Sequence, residues 1–282
     1  MKIIKGKEIA LKIKENVKLE VDEMIKKGET PPCLACIIVE GNGASEVYVS
    51  SKIKACEECG LKSKIVRLPQ TISQEGLYGE IDKLNEDNTV SGILLQLPLP
   101  SHLDEVLSTN RINPSKDVDC LTFENLGKLF SARALVSPCT ASGIMKILEH
   151  EQVSIEGKNI VVIGRSLLVG KSVANLLEQK NATVTICHSK TKNLKEITKQ
   201  ADILIVAIGK TQYITKDYIK EGSVVIDVGI NRTEIGLKGD VCFDEVCELC
   251  SLITPVPGGV GPLTVACLME NTLILYKQKK EN

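Results

Sequence analysis

The chain has 282 residues, 43% hydrophobic and 25% charged, with a formal net charge of −1. That length suits about two domains and that composition a globular protein. The charge leaves no overall positive field for nucleic acid, no apolar run approaches the ~18 residues of a membrane span, and the start of the chain lacks a signal-peptide core, so no nucleic acid, no membrane and a cytoplasmic setting are expected.

Over residues 7–27 the apolar positions Ile9, Leu11, Ile13, Val17, Leu19 and Met24 alternate with charges and stop before Gly28, which predicts an amphipathic helix with a glycine stop. Pro31 and Pro32 lead into a strand over 33–40. A helix from Ser45 to Cys59 ends at Gly60. A strand over 62–68, a helix over 73–87 and a strand from Val90 to Gln96 follow. Strands alternating with helices predict a parallel sheet covered on both faces.

Cys33, Cys36, Cys56 and Cys59 have the spacing of a four-cysteine zinc site. Their local patterns argue otherwise. Positions i and i+3 of a strand face opposite ways, and Cys56 and Cys59 fall on a helix without a glycine knuckle. An odd total of eleven cysteines also points to free thiols, so no metal is expected.

After Asn113-Pro114 and a helix from Thr122, a second α/β unit is predicted. It has a helix over 140–150, strands over 159–163, 182–187, 202–207 and 223–228, and a last helix over 263–279 introduced by Gly261-Pro262. Its first strand ends in Val162-Ile163-Gly164-Arg165-Ser166 and its first helix begins near Val169-Gly170. This βαβ start turns backbone N–H groups and a helix N-terminus toward a phosphate. The loop is Gly164-x5-Gly170 rather than the usual G-x-G-x-x-G. NAD-binding units usually place an acid at the end of the second strand. Here stand His188, Ser189, Lys190, Thr191 and Lys192, with Arg165 in the turn, which favours the 2′-phosphate of NADP.

Four further features carry candidate chemistry. Tyr48 and Lys52 are at i, i+4 on one helix face near the C-terminal edge of the first sheet, where a lysine can act as acid or base. Gln96 ends an apolar strand before Leu97-Pro98-Leu99-Pro100. Buried there, it needs a partner, either a ligand or Lys52. In Lys116-Asp117-Val118-Asp119 an aspartate could receive the donor edge of a heterocycle or cap a turn. The glycine–proline run Thr254–Pro262 lets a ligand approach backbone closely. His102, His150 and His188 form no relay.

Taken together, Tyr48-Val-Ser-Ser-Lys52, Gly92-Ile-Leu-Leu-Gln96-Leu-Pro-Leu-Pro100, Lys116-Asp-Val-Asp119, Val161-Val-Ile-Gly164-Arg-Ser166, Asp227-Val-Gly-Ile230-Asn and Thr254–Pro262 resemble bacterial bifunctional methylenetetrahydrofolate dehydrogenase/cyclohydrolase. The motifs run in order over almost the whole chain. The resemblance implies two α/β domains with parallel sheets around a cleft, the C-terminal one Rossmann-like. It implies a folate-binding catalytic domain over 1–118, an NADP-binding domain over 119–262 and a C-terminal helix, about 263–282, packing back onto the first. It implies NADP-dependent oxidation of 5,10-methylenetetrahydrofolate followed by hydrolysis to 10-formyltetrahydrofolate, in a homodimer.

By the same resemblance Lys52 is the catalytic lysine, Tyr48 packs on the folate, Gln96 tunes Lys52 and Asp119 holds the pterin. Leu97, Pro98, Pro257, Gly258 and Gly259 border the substrate. Gly164, Arg165, Ser166, Val169, Gly170, His188, Ser189 and Ile230 contact the cofactor. Cys120, Ala141, Ser172 and Leu263 depart from the family pattern. Cys120 replaces a glycine, which raises a question about the turn after Asp119. The alternatives are another two-domain NADP dehydrogenase similar to shikimate dehydrogenase, and a zinc-organised binding module.

Overall fold

A computed structural model of the protein describes residues 1–41 and 43–281, with side chains for all of these except 43–48 and 281. In chain order the first elements are β1 (Lys2–Ile3), α1 (Gly6–Lys26), β2 (Cys33–Val39), α2 (Gly43–Cys59), β3 (Lys62–Leu68), α3 (Gln74–Glu86), β4 (Gly92–Leu95), α4 (Glu105–Asn110) and α5 (Phe123–Phe130). Then come α6 (Cys139–His150), β5 (Asn159–Ile163), α7 (Ser172–Glu178), β6 (Thr183–Cys187), α8 (Leu194–Thr198), β7 (Ile203–Val206) and β8 (Val224–Asp227). The last are β9 (Asn231–Thr233), β10 (Gly236–Lys238), α9 (Phe243–Val246), β11 (Leu252–Ile253) and α10 (Val260–Glu281).

The chain forms two compact α/β units. One comprises Leu11–Cys139 with Val265–Asn282, the other Met1–Ala10 with Thr140–Thr264. The first holds a three-stranded parallel sheet in the order β3-β2-β4. Its central strand β2 is buried along its whole length, while β3 exposes most of one edge. Ile37, Val39, Leu77, Ile81, Ile93 and Leu95 form the centre of its core. The buried stripe of α1 is Ile9, Ile13, Val17 and Val21, one residue every fourth, whereas Leu11 and Leu19 face solvent.

The second unit holds a six-stranded, wholly parallel sheet in the order β1-β11-β8-β7-β5-β6. From β5 the chain goes to β6 on one side and returns to β7 on the other. The crevice at the C-terminal ends of β5 and β7 is therefore the topological switch point of a Rossmann-like sheet, the place where such sheets bind ligands. Val161, Ile163, Leu204, Val206, Val225 and Ile253 pack its core.

Most predicted elements lie where the sequence patterns put them, within two or three residues at each end. β1 and β11 have two residues each, too few for a periodicity, and the β9–β10 hairpin is polar and exposed. α10 begins at Val260 rather than beyond Pro262. Its first turn has N–H groups without intrahelical acceptors, so Pro262 costs no hydrogen bond there.

Candidate active site

In the first unit candidate side chains named from the sequence come together near the C-terminal end of β4. Gln96 follows β4 and continues its ladder, its N–H donating to Ile37 O at 2.9 Å. The side chain is then held at both ends. Nε2 donates to Leu97 O at 2.6 Å, and Oε1 accepts from Lys52 Nζ at 2.8 Å. With its NH2 committed to the backbone, the amide presents its oxygen to the lysine. Leu97 is half-buried and Pro98 exposed beside it. The backbone of Tyr48 lies one turn before Lys52 on α2, and its side chain lies outside the described residues.

The Lys-Asp-Val-Asp run divides into two structural residues and one available carboxylate. Lys116 is buried and donates to the carbonyls of Leu84, Asn85 and Asp87 at the end of α3, where a cation suits the helix dipole. Asp117 is buried and accepts from Leu121 N–H, Thr122 N–H and Asn125 Nδ2, which organises the start of α5. Burial raises its pKa against the pull of those donors. Asp117 also bridges to Ile93 beside β4, and the chain turns straight after it, which places Asp119 in that turn. Asp119 is half-buried, and its Oδ1 accepts the Cys139 N–H at 3.2 Å.

The Cys139 thiol senses both Asp119 and Lys52. Burial and then the Asp119 carboxylate push its pKa well up, while Lys52 opposes them. Cys120, in the glycine position of the family pattern, adopts φ +55°. The glycine-type turn is retained with a bulkier residue, at a cost of about 1–2 kcal/mol.

Sequence patterns missed the support beneath this site. Asn271, buried in α10, donates through Nδ2 to Val118 O at 2.8 Å and Ser137 O at 3.0 Å. It thus ties the segment carrying Asp119 to the segment carrying its N–H donor. A lone asparagine in an apolar helix is the only sequence sign of this.

In the second unit the turn after β5 is closed by two glycines in contact. A Cβ on Gly164 would lie 2.2 Å from Ala207 O, and one on Gly170 would lie 2.2 Å from Gly164 O. Gly164 also has φ +121°. Between them Ser166 caps the following turn, its Oγ accepting the Val169 N–H at 3.2 Å, and residues Leu167–Lys171 form a widened turn leading into α7. Gly164 N–H donates to Cys187 O at 2.9 Å, which joins this turn to the end of β6.

There His188 to Thr191 form a tight turn. His188 N–H donates to Thr191 Oγ1, and Lys190 N–H donates to His188 Nδ1. Arg165, Ser189 and Lys190 stand exposed along this edge. Among the described residues the Arg165 side chain has no hydrogen bond or ion pair. Ile230, exposed after β8, approaches the start of α10 at Gly261. Pro257, Gly258 and Gly259 belong to the loop between β11 and α10, whose root Thr254 accepts the Asp227 N–H through Oγ1 at 2.7 Å.

Two family descriptions match the chain. The tetrahydrofolate dehydrogenase/cyclohydrolase catalytic domain matches residues 4–119, and the tetrahydrofolate dehydrogenase/cyclohydrolase NAD(P)-binding domain matches residues 138–280. The bifunctional protein FolD of Thermodesulfovibrio yellowstonii is 51% identical over 279 residues, covering 99% of this chain and 97% of its own. The chain belongs to the tetrahydrofolate dehydrogenase/cyclohydrolase family.

The crystal structure of the Campylobacter jejuni member superposes with a TM-score of 0.96 at 46% identity, covering 99% of both chains. That of the Trypanosoma brucei member, complexed with NADP cofactor and inhibitor, gives 0.95 at 38% identity over 100% of this chain and 99% of its own. Membership in this family displaces the shikimate dehydrogenase-like alternative and the zinc-organised module. The four N-terminal cysteines are buried free thiols, and no group suited to a metal occurs among the described residues.

Proposed function

We propose that the protein oxidises 5,10-methylenetetrahydrofolate to 5,10-methenyltetrahydrofolate with NADP and hydrolyses that product to 10-formyltetrahydrofolate. The observation that carries this reading is the Lys52–Gln96 pair at the end of β4 in a chain of this family.

The residues at the second unit's switch point fit a dinucleotide. Gly164 and Gly170 pack backbone on backbone with no room for a Cβ at either, the close glycine turn between strand and helix that can receive a phosphate. Arg165 and Ser189, with His188 shaping the turn, suit a 2′-phosphate, and Ile230 lines the far side. When bound, NADP supplies the nicotinamide that accepts hydride. The first reaction asks the chain mainly for orientation, because the folate nitrogen lone pair drives hydride departure.

In this reading Asp119 holds the pterin by its donor edge, Tyr48 packs on the folate, and Leu97, Pro98, Pro257, Gly258 and Gly259 border it. The methenyl product is a delocalised cation. Beside Lys52 it favours the amine over the ammonium, and the amine can take a proton from the attacking water. Gln96 keeps Lys52 aimed. We also propose a homodimer, as the resemblance implies, working in the cytoplasm, a compartment that suits eleven free cysteines.

The test is reduced-cofactor formation from methylenetetrahydrofolate with NADP and with NAD in parallel, followed by decay of the methenyl product. Turnover with NADP and accelerated hydrolysis support the reading. Turnover favouring NAD would overturn the 2′-phosphate argument alone, and no turnover with either would overturn the dehydrogenase assignment.

A further inference from the structure

Two carboxylates lie buried beneath the C-terminal ends of β7 and β8. Asp240 follows the β9–β10 hairpin and is fully buried. Its Oδ2 accepts the N–H groups of Ile208 at 2.7 Å and Gly209 at 2.9 Å. Its Oδ1 accepts Lys210 N–H at 2.8 Å and Asn231 Nδ2 at 2.9 Å. Asp227, the last residue of β8, accepts from Gly229 N–H, Asp240 N–H and Val241 N–H. Space is made by glycine on both sides. A Cβ on Gly229 would lie 2.3 Å from Asp240 Cγ, and one on Gly239 would lie 1.8 Å from Asp227 Oδ2.

Three successive N–H groups aimed at one point form an anion-binding nest. Here the protein's own Asp240 fills it, so the loop after β7 is committed and offers no second phosphate site. The same carboxylate reaches the loop after β8 through Asn231. Those two loops form the wall of the crevice on the side away from Arg165 and Ser189, and Ala207, at the root of the first, abuts Gly164.

Burying two carboxylates side by side is costly, and what they gain in return is a fixed backbone: Asp240 satisfies the N–H groups of the loop after β7 and Asp227 those of Gly229 and of Asp240–Val241. We infer that Asp240 is a positioning residue for dinucleotide binding, acting through the backbone of Ala207–Lys210 and Val228–Asn231 without touching the ligand. This rests on the NADP reading above.

Asp240→Asn keeps the shape but turns an amide donor toward N–H donors. Asn231→Ala leaves the carboxylate in place and removes one of its four partners. Each variant and the wild type are assayed for KM of NADP and of methylenetetrahydrofolate, and for hydrolysis of methenyltetrahydrofolate without dinucleotide. The expected result is a rise in KM for NADP of about tenfold or more in D240N and a smaller rise in N231A, with folate KM and hydrolysis within about twofold of wild type.

An unchanged KM for NADP in D240N overturns the inference. So does a parallel fall of both activities, which would mark a general loss of fold. If D240N does not fold, N231A decides, and wild-type KM for NADP in that variant overturns it. A wild type that hydrolyses the methenyl compound but never reduces NADP overturns the dinucleotide reading and the inference with it.

Discussion

Lys52 and Gln96, 44 residues apart in the chain, share a 2.8 Å hydrogen bond, and the glutamine's other end is pinned to Leu97 O. The lysine is therefore held by a neutral acceptor rather than a carboxylate, which leaves it free to lose a proton without breaking an ion pair. Lys52→Met keeps the length and removes the amine. Its cyclohydrolase rate is expected to fall by about 10²–10⁴-fold, with folate still bound tightly. Stopped-flow decay of the methenyl compound, beside a folate titration, measures both. Normal hydrolysis in this variant would remove Lys52 from the chemistry.

Arg165 is exposed on the edge shared by the β5 and β6 turns, and Ser189 stands on the same edge. Charge-assisted contacts to a phosphate are among the stronger hydrogen bonds. Arg165→Ala is expected to raise KM for NADP about tenfold while leaving KM for NAD nearly unchanged. Initial rates at varied NADP and NAD give the two constants. Equal losses for both cofactors would place Arg165 on the shared pyrophosphate instead of the 2′-phosphate.

The parts of the site legible in the sequence are those built locally. Gly164, Ser166 and Gly170 sit within seven residues, and their turn follows from strand, glycine and cap in order. A strand-end glutamine was also readable as needing a partner, and Lys52 is that partner. The supports were not legible because their partners are far away in sequence. Asp240 takes donors from 30 to 32 residues upstream, and in sequence a Gly-Asp-Val after a hairpin looks like an ordinary turn. Asn271 bonds a carbonyl 153 residues upstream. Asp117 and Asp119 look alike as neighbours, and only the hydrogen bonds of the folded chain separate the one that organises the start of α5 from the half-buried one beside Cys139.

Nine of the eleven cysteines are buried, and Cys242 and Cys247 are half-buried. Burial pushes the Cys36 and Cys59 thiols to about 11 and Cys120 and Cys250 to about 12, far from thiolate at neutral pH. Thiolate is the reactive form. Titration of the native protein with a thiol reagent should therefore show at most two fast groups, Cys242 and Cys247, and all eleven only after denaturation. Rapid labelling of Cys36 or Cys56 in the native state, read by peptide mass, would contradict the packing of β2 against α2.

Asp227 gives the fold a pH dependence of unusual sign for a carboxylate. Burial lifts its pKa to about 6, over the opposing pull of three backbone N–H donors, and the neighbouring Asp240 adds to the rise. In the unfolded chain an aspartate titrates near 3.9. Between about pH 4 and pH 6 the folded state thus holds a proton that the unfolded state has released, so stability falls as pH rises. The contribution is complete below about pH 4 and lost above about pH 6, about 3 kcal/mol in all. Asp227→Asn cannot titrate. It starts from a fixed penalty, because its amide meets N–H donors, but that penalty does not vary with pH. The stability of wild type relative to D227N is therefore expected to decline by about 3 kcal/mol from pH 4 to pH 7, measured by urea unfolding across that range. A difference that stays flat would mean that the three N–H donors outweigh burial and keep Asp227 ionised throughout.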